Sequence, residues 1–151
     1  TSVVLIKVFF PPSPVVAQDR GHLIKLIHGA NTNADLSYID VTNVTDMSKI
    51  FYGSSFNGYI ANWDVSNVTN MSEMFKSSGF NGDIANWDVS NVTDMSELFR
   101  GSSFNGDISN WVTNMSRMFY RARAKFNSDI SNWNVSSMTN MSEIFDHSKF
   151  N

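Results

Sequence analysis

Large apolar residues return along this chain at an interval of 24 residues, and small polar residues fill the places between them. Phe56, Phe80 and Phe104 each open the phrase Phe-Asn-Gly, and the unit at 80–103, FNGDIANWDVSNVTDMSELFRGSS, is matched almost letter for letter at 56–79. A third unit runs over 104–125 and a fourth over 126–149, and Phe150 with Asn151 begins another. The register also runs backwards. Residues 32–55 keep Leu36, Ile39, Val41, Val44, Met47, Ile50 and Phe51 in the apolar columns and form the first complete coil. A period of this length marks stacked units, none of which buries its apolar face alone.

In the unit at 56–79 the inward set is Phe56, Ile60, Trp63, Val65, Val68, Met71, Met74 and Phe75. All 4 Trp share one column, at 63, 87, 111 and 133, and ten of the 12 Phe fall in two others, so the aromatic stripe reads as core. Over 84–89 apolar groups stand at the first, fourth and sixth places and end on β-formers, which predicts a short strand. Over 92–99 they recur at spacings of three and four, with Thr93 or Asp94 to cap, which predicts a turn or two of helix. Turn formers at 100–103 and 105–106 return the chain to the next strand. The expectation is an α/β solenoid of coils of about 24 residues, with one short parallel strand and one short helix per coil and strands ~4.8 Å apart. Residues 22–31 align with 46–55 and set Leu23, Leu26 and Ile27 in the columns of Met47, Ile50 and Phe51. The chain thus divides into an N-terminal apolar segment with a degenerate capping half-coil, 1–31, and the repeat, 32–151.

One unit departs from the pattern. The third reads FNGDISNWVTNMSRMF, so the equivalents of Asp88, Val89, Ser90 and Asn91 are absent after Trp111, and two extra residues follow in YRARAK. Such a loss is expected to break the backbone ladder locally or to narrow that coil and kink the stack.

Composition narrows the classes of function. A chain of 151 residues needs only one domain, and 42% hydrophobic with 17% charged residues is too apolar for disorder yet low in charge for an ordinary surface. Asn, Ser and Thr must cover the outside, bonding to turns and to each other. A net charge of −3 supplies no basic field for nucleic acid. The absence of cysteine excludes disulfides and thiolate chemistry. The apolar run in TSVVLIKVFFPPSPVVAQ is far shorter than the ~20 residues of a membrane span. Val15, Val16 and Ala17 resemble the end of a secretory signal but follow no cationic start, so the segment is expected in the mature chain, with secretion as its history. His22, His28 and His147 share no column, and no nucleophile, base and orienter set, phosphate loop, cofactor site or metal spacing stands out.

The pattern Ile-x-x-Trp-x-Val-x-x-Val-Thr-x-Met-Ser-x-x-Phe, in wording such as FNGDIANWDVSNVTDMSELF, resembles the leucine-rich-repeat branch of BspA-like bacterial surface proteins. It is similar to repeats of surface lipoproteins and adhesins in bacteria and some protists. The resemblance covers 32–151 strongly and 22–31 weakly. It implies right-handed leucine-rich-repeat-like coils and a non-enzymatic role in adhesion or recognition, outside the cell or on its surface. It carries over no catalytic residue.

Several columns remain as candidate chemistry. Asp35, Asp83, Asp107 and Asp129 share one, interrupted by Tyr59, and Asp40, Asp64 and Asp88 share another. Stacked carboxylates invite calcium, but the Gly-rich nonapeptide wording of calcium β-helices is missing, and Asx-turn bonding is the favoured reading. Asn43, Asn67, Asn70, Asn91, Asn114, Asn134 and Asn140 each begin Asn-x-Ser/Thr and are candidate glycan acceptors, although the repeat itself generates the motif. Thr45, Thr69, Thr93, Thr113 and Thr139 form a file that raises ice binding as a remote alternative. Arg117, Arg121, Arg123 and Lys125 read as a solvated basic loop. Val3, Val4, Leu5, Ile6, Val8, Phe9 and Phe10, outside the repeat, and Phe150, at the start of a further unit, are candidate assembly contacts. The expected partners are a protein or glycan surface, or copies of the chain itself. Adhesion or recognition is the first expectation and a structural subunit of an extracellular filament or coat the second.

Overall fold

The computed structural model describes residues 13–111, 118, 119, 131 and 141–146. Strand β1 (Val15–Val16) lies parallel to β2 (Ile39–Asp40), with Val15 opposite Ile39 and Val16 opposite Asp40. Helix α1 (Arg20–Ile27) lies between them in sequence. Asp19 caps it by accepting the His22 N–H at 2.8 Å, and the Arg20 side chain ties it to the Ser48 carbonyl at 2.7 Å. The 24-residue offset of β1 from β2 shows that the repeat register begins before residue 22. Val15, Val16 and Ala17 take the places of Ile39, Asp40 and Val41, and Ala17 is fully buried.

Among the described residues from 32 onward the units stack side by side, joined by bonds between residues about 24 apart. Met71, Glu73, Phe75 and Ser77 donate their N–H groups to the carbonyls of Asp94, Ser96, Leu98 and Arg100, at 2.7–3.0 Å. The alternate residues Met74, Lys76 and Ser78 bond back to Met71, Glu73 and Phe75. One N–H in two therefore closes a tight turn while the other reaches the next unit. Parallel bridges Asp46 to Asn70 and Asn70 to Asp94 mark the same ladder.

This pattern replaces the helix expected over 92–99, which is a run of turns. The apolar spacing of three and four is present, but Lys49, Glu73, Glu97 and Glu143 have φ of 55–59°, a left-handed conformation that cannot continue a right-handed helix. The strand expected over 84–89 is likewise a turn at 85–86, where the Trp87 N–H returns to the Ile84 carbonyl. Asp83 and Asp88 accept the N–H groups of Ala85 and Ser90, donors that a regular ladder would need.

The core is the set of inward columns. Phe56, Ile60, Trp63, Val65, Val68, Met71, Met74 and Phe75 are all buried, as are their equivalents through Trp111. Phe51, Phe75, Phe99, Phe119 and Phe145 form one file with centroids 5.3–5.7 Å apart. Phe56, Phe80 and Phe104 form a second at 6.2 and 6.3 Å. Phe51, Phe75 and Phe99 also stack on Phe56, Phe80 and Phe104 of the other file, at 4.6, 4.4 and 4.1 Å.

Candidate recognition surface

The outside repeats as regularly as the inside. Asp40, Asp64 and Asp88 each accept the N–H of the residue two places on, at 2.9–3.0 Å, and Asp35, Asp46, Asp94 and Asp107 do the same in their own columns. The carboxylates therefore shape turns. At Asp64 the hydroxyl and N–H of Ser66 also hold the carboxyl below the usual carboxylate range, against the weaker opposing effects of burial and of Asp40 and Asp88. Asp40 is lowered in the same way by Thr42, and Asp35 by Ser37. Among the described residues no group of three His, Cys, Asp or Glu is placed to hold a metal ion.

The threonine file is exposed at Thr45, Thr69 and Thr93, but its hydroxyls point along the stack. Thr69 and Thr93 donate to the carbonyls of Thr45 and Thr69 at 3.2 and 3.1 Å. Asparagines do similar work. Asn67 and Asn91 donate their amides to the carbonyls of Thr42 and Ser66, while Asn57 and Asn81 accept the N–H groups of Asn81 and Asn105. Of the candidate glycan acceptors, Asn67 and Asn91 thus have engaged amides, Asn70 accepts from Ser72, and Asn43 is exposed. Asn114, Asn134 and Asn140 lie outside the described residues, as do Arg117, Arg121, Arg123 and Lys125, Val3 to Phe10, and Phe150.

An ion ladder that the sequence reading missed crosses three units. Lys49 meets Glu73 at 3.3 Å, Lys76 bridges Glu73 at 2.7 Å and Glu97 at 2.6 Å, and Arg100 meets Glu97 at 2.9 Å. The alternation of sign in chain order through Lys49, Glu73, Lys76, Glu97 and Arg100 was legible, but only the stacking showed that they face one another. Hydrogen bonding to Lys76 holds Glu73 below the usual carboxylate range. Burial alone would raise Glu97 and lower Lys76, yet their mutual bonds, with Arg100 on Glu97 and Glu73 on Lys76, outweigh it and shift both the other way.

Clefts interrupt the surface of the described residues. One of about 180 Å³ lies between α1 and the first unit, with Ile24, Ile27, Ile50 and Phe51 in its walls beside His28 and Ser54. Another, about 320 Å³, lies over Gly58 and Gly82 beside the exposed Tyr59. No described helix is long and apolar enough to cross a membrane.

Comparison with known proteins gives one match. The family model described as "Mycoplasma protein of unknown function, DUF285" matches residues 22–114 and 112–151, and its two segments meet where the third unit is short. No curated protein and no protein of solved structure matches the chain. Matching from residue 22 to the last, through two overlapping segments, the chain belongs to the DUF285 family.

Proposed function

We propose that this protein is a non-enzymatic repeat scaffold for adhesion or recognition, of the BspA-like kind, working outside the cell or on its surface. Its stack is a solenoid of leucine-rich-repeat type in which tight turns and single bridges stand in for full strands and helices. One observation carries the reading: the same outward-facing groups return in three successive units, at Asp40, Asp64 and Asp88 and again at Thr45, Thr69 and Thr93. Such a surface presents a repeated pattern to an extended partner, whereas catalysis needs unlike groups converging on one point. The test is saturable binding of fluorescently labelled chain to cell surfaces, competed by unlabelled chain. Absence of binding at any concentration overturns the role.

A structural subunit of an extracellular filament or coat is the second reading. The backbone ladder passes from Phe75 to Leu98, from Phe99 to Met118 and from Phe119 to Ile144, a repeating contact that a second copy could continue. Sedimentation showing concentration-dependent polymers, together with no cell binding, would favour it.

A further inference from the structure

Tyr59 breaks a column that is otherwise aspartate at 35, 83 and 107. It is 46% exposed, and the parallel bridge between Asp35 and Tyr59 sets the two side by side on adjoining units. Its hydroxyl donates to the Asn62 Oδ1 at 3.2 Å, within the same unit. Beside the ring is the cleft of about 320 Å³, floored by the bare backbone of Gly58 and Gly82 and lined by Asn33, Asn57 and Asp83. That volume is at the low end of small-molecule sites, roughly 300 Å³ and upward.

The hydrogen-bonding state of the lining narrows what fits. Asp83 uses Oδ1 on the Ala85 N–H at 3.0 Å, leaving Oδ2 to accept. Asn57 uses Oδ1 on the Asn81 N–H at 2.7 Å, leaving its NH₂ to donate, and the Asn33 side chain makes no hydrogen bond. The cleft therefore offers one apolar ring face, one carboxylate acceptor and two amides, and its lining holds no cation. An anion would meet Asp83 with nothing to neutralise it. A cation would suit Tyr59 and Asp83, as Lys76 lies 5.7 Å over the Tyr52 ring, but would leave the two amide donors without use. A pyranose uses the whole set. Its C–H face packs on an aromatic ring and its hydroxyls both donate and accept.

We infer that this cleft binds a neutral hexopyranose unit of a glycan, stacked on Tyr59 and hydrogen-bonded by Asp83, Asn33 and Asn57. The inference rests on the recognition role proposed above and assigns it a ligand class and a place.

The test titrates the whole chain with maltose, cellobiose and N,N′-diacetylchitobiose, following the Asn33 and Asn57 side-chain amides and the Tyr59 ring by NMR. At least one disaccharide is expected to shift all three saturably. Tyr59→Asp restores the residue that the repeat itself uses, so the fold is kept, as an unchanged Tm will verify, and binding should weaken at least tenfold. Asp83→Asn keeps the turn acceptor and should weaken it likewise. No shift with any disaccharide overturns the proposal, as does an equal response of Tyr59→Asp or a response to choline or a lysine peptide in their place. Cell binding of Tyr59→Asp separates this proposal from the role it rests on. Undiminished cell binding removes the cleft and leaves the recognition role standing. Disaccharide shifts without any cell binding keep the cleft and remove that role.

Discussion

The backbone N–H of Phe99 donates to the carbonyl of Met118, 19 residues further on, whereas Phe51 and Phe75 reach Met74 and Leu98, each 23 residues further on. Four residues are absent after Trp111, and the ladder closes over the gap. The next step, Phe119 to Ile144, spans 25 and takes up the two extra residues. Phe119 stays stacked on Phe99 at 5.3 Å. The break in register expected from the sequence is therefore not propagated to the back half of the unit.

Restoring Asp-Val-Ser-Asn after Trp111 should accordingly be accepted without disturbing that stack. The new valine would occupy the column of Val65 and Val89, both buried, and full burial of a valine contributes about 1.5 kcal/mol or more. A rise in Tm is expected by calorimetry. A fall would mean that the short unit has adapted around its gap.

The glycine of Phe-Asn-Gly is set by the ring before it. A Cβ on Gly82 would stand 2.8 Å from Phe80 Cε2, and one on Gly106 would be 2.7 Å from Phe104 Cζ. Gly82→Ala must push a buried ring aside, at a cost of about 1–3 kcal/mol. Gly53 faces open space, but its φ of 65° makes Gly53→Ala cost about 1–2 kcal/mol through the backbone alone. Ser77 holds the same left-handed place with a side chain, so Ser77→Gly should be neutral or stabilising. Urea midpoints for the three variants check the order. A Gly82→Ala no less stable than the parent would mean that the Phe80 ring is free to move.

Periodicity made the inward columns legible because burial depends on residue type and spacing alone. Trp63, Trp87 and Trp111 lie inside as the single tryptophan column implied. The secondary structure was less legible. Spacings of three and four suit a helix, but they suit equally a run of i to i−3 turns, and nothing in Glu73 or Glu97 announces a left-handed backbone. Their conformation follows from bonding to the next unit, which no single unit's sequence contains. Tyr59 was visible only as an interruption of an aspartate column, and its cleft required the stacked backbone of Gly58 and Gly82.

Trp87 also measures how far inward and outward faces differ in energy. It is buried, and its indole N–H donates to the Ile60 carbonyl at 3.3 Å, while Asn86 beside it is exposed. Trp87→Ala should destabilise by about 3–5 kcal/mol. Asn86→Ala should stay within about 0.5 kcal/mol. Similar denaturant midpoints for the two variants would overturn the assignment of faces.

The ion ladder gives stability a dependence on pH at both ends of the scale. Glu73 and Glu97 titrate below their ordinary range in the folded chain, so the stability they contribute is full above that range and is lost as pH falls through their lowered values. Lys76 is raised above its ordinary 10.5, so its contribution is full below that value and is lost as pH rises through the raised one. Between these limits the urea midpoint should be flat. Lys76→Met keeps the apolar stem but leaves Glu73 and Glu97 without the ammonium between them, at a cost of about 1–3 kcal/mol at neutral pH. The variant should also lose the part of the alkaline decline that Lys76 supplies. High salt should narrow the difference from the parent only in part, because Lys76 and Glu97 are four-fifths or more shielded from solvent and screening acts mainly on exposed charges. A variant as stable as the parent at neutral pH, with the alkaline decline unchanged, would mean that these contacts are surface pairs of no net value.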